Sequence, residues 1–228
     1  MTPKNRIPEL DAARGLCILA MVCVHFLYDI TELYGLLSMP LPAIYTLLKS
    51  GGCIFFILSG ISATLGHRHL RRGLAVFGCG IAVSAVTALA GFVPVRFGVL
   101  QCIGVSMVLW MLFQVLPNAA LVAVASLCLA LGAIFARITV SVPFLYPLGL
   151  PPEGFESADF FPLFPFFGYF LAGACLGRSL YAARRSLLPS TFFSSLPLRF
   201  LCLCGRHSLL IYLIHQPILF FAIELMAH

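Results

Sequence analysis

Charge is what this chain has least of. Only 10% of its 228 residues are Asp, Glu, Lys or Arg, against about 25% in a soluble domain. Acidic residues are the scarcest, at eight. No hydrophilic stretch is long enough for a separate soluble domain, so a single domain over 1–228 is expected. The nine cysteines include no C-x-x-C pair; only Cys202 and Cys204 stand close, as C-x-C. Scattered cysteines in apolar segments are ordinary buried residues, so neither a metal site nor a disulfide framework is expected. The first apolar run carries Asp11 and Arg14 and is followed by no A-x-A-like cleavage site, so it is not read as a secretory signal. No internal repeat or low-complexity tract is visible.

What fills the chain instead is apolar. Hydrophobic residues make up 61% and the mean hydropathy is +1.04, which implies an integral membrane protein of all-α class. Seven apolar segments stand out, near 10–30, 43–66, 71–91, 97–116, 119–137, 159–180 and 202–226. They predict a single bundle of about seven transmembrane helices. With the N-terminus in the cytoplasm, eleven of the 14 basic residues fall at inner ends and loops, and only Lys49, Arg96 and Arg137 fall elsewhere. Cationic inner loops set orientation, so a cytoplasmic N-terminus and an extracytoplasmic C-terminus are expected. The net charge of +6 is then a topology signal, and nucleic acid is not an expected partner. Pro143, Pro147, Pro151 and Pro152 exclude a continuous helix in the longest outer loop, 138–158. Pro162 and Pro165 predict an irregular start to the sixth span.

Against this background Arg14 and His25 are conspicuous in LDAARGLCILAMVCVHFLYD. Ionisable residues are costly in lipid and mark functional paths. Eleven steps at about 100° each bring both onto one helix face, roughly 16 Å apart along the axis. Asp11 and Asp29 lie on the same stripe. Depth counting at ~1.5 Å per residue places His25, Lys49, Gln101 and His215, from four spans, in one layer below the outer surface. Arg14, Arg206 and His207 gather at the inner mouth. Plainer readings stand beside these. Asp11 and Arg14 form an i,i+3 pair that could do no more than neutralise itself. His25 could be a packed histidine bonded to a carbonyl, and Lys49 could snorkel outward. Ser208, Tyr212 and His215 share a face of the last span and could merely bridge helices. Asp29, one turn after His25, allows a His–carboxylate pair that fixes the tautomer and raises basicity.

Arg14 and His25 resemble the R-x10-H motif of the transmembrane acyltransferase type 3 superfamily. The ordered set ELDAARGLCILAMVCVHF, GGCIFFILSGIS, FGVLQCIG, DFFPLFPFFGYFLAGACLG and GRHSLLIYLIHQPIL, over 9–219, is more similar to the heparan-alpha-glucosaminide N-acetyltransferase catalytic-domain family. That resemblance implies transfer of an acetyl group from cytoplasmic acetyl-CoA to a sugar or amino-sugar acceptor on the far side of the membrane. The compact chain suits a bacterial inner-membrane enzyme.

The roles expected on this reading are specific. Arg14 and Arg206 hold the phosphates of acetyl-CoA, since guanidinium forks match phosphate oxygens. His25, oriented by Asp29, is either the base for an amine or hydroxyl acceptor or the nucleophile of a two-step transfer. Lys49, Gln101, Tyr212 and His215 orient the acceptor or stabilise the oxyanion. The expected partners are acyl-CoA, a sugar or glycan acceptor and the bilayer, with a homodimer as an allowed assembly. A small transporter or flippase for an anionic or lipid-linked solute is the alternative, and a non-catalytic membrane scaffold a third.

Overall fold

The structure is a computed structural model that describes residues 6–33, 35 and 41–227; the side chains of 32, 33, 41–45, 47–49, 190, 226 and 227 lie outside that description. Among the described residues there are eight α-helices and no strand. They are α1 (Pro8–Tyr28), α2 (Leu41–Leu65), α3 (His69–Leu89), α4 (Val99–Phe113), α5 (Asn118–Phe135), α6 (Leu163–Leu180), α7 (Leu196–Arg206) and α8 (Ser208–Ala227). Five are long and apolar enough to cross a membrane: Pro8–Thr31, His69–Leu89, Asn118–Phe135, Leu163–Leu180 and Ser208–Leu225. Two shorter apolar helices are Ser50–Leu65 and Val99–Phe113. The chain is thus an all-helical integral membrane protein.

The apolar segment expected at 202–226 divides. Its first residues belong to α7, which ends at Arg206, and His207 breaks the helix with φ −106° and ψ 18°. Hydropathy alone runs through this break because apolar residues, Leu201 to Cys204 before it and Leu209 to Ile211 after it, stand on both sides. Two other expectations hold. Residues 138–158 contain no α-helix, only a 3₁₀ turn at Tyr146–Leu148. Phe164 is extended, φ −102° and ψ 121°, inside the first turn of α6.

The contacts divide the chain into two compact units, Met1–Phe55 with Ala183–His228, and Phe56–Ala182. In the first, α1 begins with Pro8 in its opening turn and with Glu9 and Asp11 there as well. Proline is preset for that position and acidic groups favour the positive end of the helix dipole. Glu9 also accepts hydrogen bonds from Leu187 N (2.7 Å) and Ser186 Oγ (2.5 Å). The main packing partner of α1 is α7. Two glycines make this possible: a Cβ on Gly15 would collide with the Leu201 carbonyl, and one on Gly205 with the Asp11 carbonyl. Such small residues let backbones touch in helix pairs within lipid. After Tyr28 the helix loosens into a π-helical stretch, Asp29–Leu33, and π turns favour functional positions.

In the second unit α3 packs on α4 and α5 on α6. The N-terminus of α4 is closed by side chains: Gln101 Oε1 accepts from Gly98 N at 2.6 Å and Asp159 Oδ2 from Val99 N at 3.0 Å. Its C-terminus is closed by Arg178, which donates to the carbonyls of Leu116 (2.7 Å) and Gln114 and lies 5.0 Å over the Trp110 ring. A cation there complements the helix dipole and satisfies carbonyls that lack intrahelical donors.

The α1–α7 contact gives a direct expectation. Gly15→Val or Gly205→Val lowers the thermal unfolding temperature in detergent, at a cost of roughly 1–3 kcal/mol or more from overpacking. Unchanged melting of both variants would refute backbone contact between these helices.

Candidate functional site

The first unit carries two polar clusters, one at each end of α1. The near one is built on Asp11, which is only 6% exposed. Gly205 brings α7 against the first turns of α1, and this sets Arg206 Nε 3.2 Å from Asp11 Oδ2. Arg14 NH1 lies 3.7 Å from Oδ1 and Arg6 NH1 3.9 Å from Oδ2. Three guanidiniums therefore surround one carboxylate, and the cluster keeps a formal surplus of two positive charges. The side chains of Arg6 and Arg206 stay 43% and 44% exposed. Guanidinium forks of this kind match the oxygens of carboxylates and phosphates. The plain reading, in which Asp11 and Arg14 simply neutralise one another, does not account for the two further arginines. Beside Arg206 opens a groove of about 790 Å³ between α7 and the start of α1, lined by Arg199, Phe200, Leu203 and Phe193 among others.

The far cluster joins α1 to α8. The rings of His25 and His215 meet edge to face, with centroids 5.1 Å apart and planes at 74°. His25 Nδ1 is 2.9 Å from the Met21 carbonyl, and His215 Nδ1 is 2.6 Å from the Tyr212 carbonyl. A carbonyl can only accept, so each Nδ1 carries the proton and each Nε2 is the basic nitrogen of the neutral ring. His215 is 8% exposed, and its Nε2 is buried with no hydrogen-bond partner among the described residues. The Tyr212 ring lies 5.6 Å from that of His215. Asp29 is 1% exposed, and both its oxygens accept from Gln216 Nε2, at 3.1 and 2.9 Å.

Two expected contacts are placed differently. His25 is held by the Met21 carbonyl and not by Asp29, whose hydrogen bonds come from Gln216. A histidine in a helix has the i−4 carbonyl within reach of Nδ1, and that local bond is made first. Gln101 lies in the second unit, and its amide is used there: Oε1 caps α4, and Nε2 donates to Ser84 Oγ at 3.1 Å. Depth counting places residues by level and carries no information about which are spent on helix ends. Lys49 falls within α2, and its side chain lies outside the described residues. His207 is exposed as the C-cap of α7.

Two members of these clusters escaped the sequence reading. Gln216 directly follows His215, and an amide beside a histidine in an apolar span was the signal for it. Arg6 precedes α1 and was counted only as topology charge. The spacing of the two clusters follows the sequence. Arg14 and His25 lie on the uninterrupted helix Pro8–Tyr28, roughly 16 Å apart. Among the described residues no group of three metal-ligating side chains gathers. Burial pushes the Cys202 thiol up, and the thiol lies 3.4 Å from the Pro8 carbonyl. Cys202 therefore reads as packing.

A cationic cluster and a pair of imidazoles thus stand at opposite ends of α1. The family model for the heparan-alpha-glucosaminide N-acetyltransferase catalytic region matches residues 6–217. The chain belongs to this family. No curated protein and no solved structure matches it. Family membership makes this heparan-alpha-glucosaminide N-acetyltransferase-like chain an acetyltransferase set in a membrane, and the acetyl donor general to the family is acetyl-CoA.

The Asp29–Gln216 contact is itself testable. Gln216→Ala leaves a buried carboxylate without its donor, at a cost of about 1–3 kcal/mol, read as a lower unfolding temperature. Full stability of this variant would show that the contact is not formed.

Proposed function

We propose that this protein moves an acetyl group from cytoplasmic acetyl-CoA to a sugar or amino-sugar acceptor on the extracytoplasmic side of a bacterial inner membrane. The observation that carries the reading is the pair of clusters on α1, a cationic one around Asp11 and a histidine one ~16 Å further on. That distance is comparable with the pantetheine arm that links the phosphates of CoA to its thioester. The excess of Lys and Arg in the inner loops supports a cytoplasmic N-terminus, and seven apolar segments with α7 at the interface support an extracytoplasmic C-terminus. The family match spans both compact units, which supports one catalytic domain over 1–228.

Arg14 and Arg206 hold the phosphates in this scheme, with Arg6 adding charge to the same seat. His25 supplies the basic Nε2 that takes the proton from the acceptor amine or hydroxyl as it attacks the acyl carbon. The same nitrogen would be the nucleophile if the acetyl group rested on the enzyme. Asp29 acts as a fixed negative charge near His25, held in place by Gln216. Tyr212 and His215 border the acceptor, and Lys49 keeps the acceptor role read from the sequence. The Gln101 amide is assigned to capping α4. No internal repeat is visible in the sequence to favour the transporter alternative.

Acetyl transfer from labelled acetyl-CoA to a panel of amino sugars, followed by mass spectrometry, tests the reading. His25→Ala lowers turnover by about 100-fold or more. Arg14→Ala and Arg206→Ala each raise KM for the donor by about tenfold or more, as expected for a lost charge-assisted phosphate contact. Turnover unaltered in His25→Ala would overturn the assignment.

A further inference from the structure

The far cluster contains more than one base requires. Two imidazoles from different helices face each other at 5.1 Å, and each has its Nδ1 proton committed to a carbonyl of its own helix. Both therefore offer basic Nε2 atoms, and that of His215 is buried with no donor to satisfy it. A buried acceptor left without a donor is costly and calls for an explanation.

We propose that His25 and His215 form a one-proton pair, in which His215 stays neutral and positions His25 to carry the proton that acetyl transfer moves. An imidazolium packed against a neutral ring is attractive, whereas two imidazoliums at this separation repel strongly in a site shielded from water. The pair accordingly accepts one proton and resists a second. Among the described residues, Asp29 is close enough for its charge to interact with His25, and the Tyr212 ring lies against His215. Arg206 of α7 pairs with Asp11 at the opposite end of α1.

The use of the pair in catalysis rests on the acetyl-transfer reading above. As the acceptor nitrogen or oxygen bonds to the acyl carbon, its proton passes to His25 Nε2. The carbon–sulfur bond breaks, and the proton leaves His25 for the thiolate of CoA. His215 ends each cycle in the state in which it began. It is a positioning residue that acts through His25.

The pairing is tested without turnover. Histidine ring nitrogens of the ¹⁵N-labelled full chain in nanodiscs are followed from about pH 9 to pH 5, the range that spans histidine titration. The comparison is of wild type, His25→Phe, His215→Phe and the double variant. Coupled rings predict that the wild-type pair binds one proton and that the histidine left in a single variant shifts its midpoint by about one pH unit or more. A wild-type curve equal to the sum of the two single-variant curves would overturn the pair. Where the phenylalanine variant does not fold, His215→Asn keeps a donor for the Tyr212 carbonyl and serves in its place. In the transfer assay His215→Phe lowers kcat, leaves the donor KM unchanged and moves the acidic limb of the pH profile. A wild type that acetylates no acceptor would refute the proposed function and leave the titration result standing.

Discussion

The backbone contact between α1 and α7 is the constraint on which the first unit depends. Gly15 and Gly205 allow the two helices to touch, and that approach does two things at once. It buries the Asp11 carboxylate, and it brings Arg206 from a distant part of the sequence to within 3.2 Å of it. Without α7, Asp11 and Arg14 would be an exposed i,i+3 pair of little energetic weight. With α7 in place, the carboxylate organises three guanidiniums and leaves them in surplus. Glycine spacing, a packing property, thereby sets the electrostatics of one end of the helix.

The other end follows a different rule. A charged group deep in an apolar span must be satisfied nearby or it is not tolerated. Asp29 meets that demand with both hydrogens' worth of amide from Gln216. The histidines meet it halfway, by giving Nδ1 to carbonyls of their own helices. This local solution fixes their tautomers and leaves the opposite nitrogens unspent. Among the described residues, His215 Nε2, Gln216 Oε1 and Thr31 Oγ1 are buried at this end of α1 without a hydrogen-bond partner.

How much of this was legible in the sequence depended on whether the controlling physics was local. The α1 stripe of Asp11, Arg14 and His25 follows from helical periodicity and lies on one unbroken helix, whereas Asp29 falls in the π-helical stretch that follows it. The irregular start of α6 followed from Pro162 and Pro165 for the same reason. The role of Gln101 was not legible, because a cap depends on where α4 begins, which hydropathy blurs by several residues. Gln216 was hidden for a second reason: its importance lies in a partner 187 positions away. Arg206 was placed correctly at the level of Arg14, yet the sequence held no sign that α7 is a separate helix. The break at His207 is a matter of backbone angles, and apolar residues on either side mask it.

The two clusters differ in charge as well as in position, and the difference has a direction. Around Asp11 the formal charges leave two positive, and Arg6 and Arg206 stay about half exposed. Around His25 each ring gives Nδ1–H to a carbonyl of its own helix, and the nearby carboxylate is buried and hydrogen-bonded. An extended molecule with phosphates at one end and an uncharged acyl group at the other fits such a helix in one orientation only. Reversed, it would set phosphate against the Asp29 carboxylate in a medium where like charges are poorly screened. In the proposed function, this asymmetry of α1 orients the donor with its phosphates at the Asp11 end and its acyl group at the histidines.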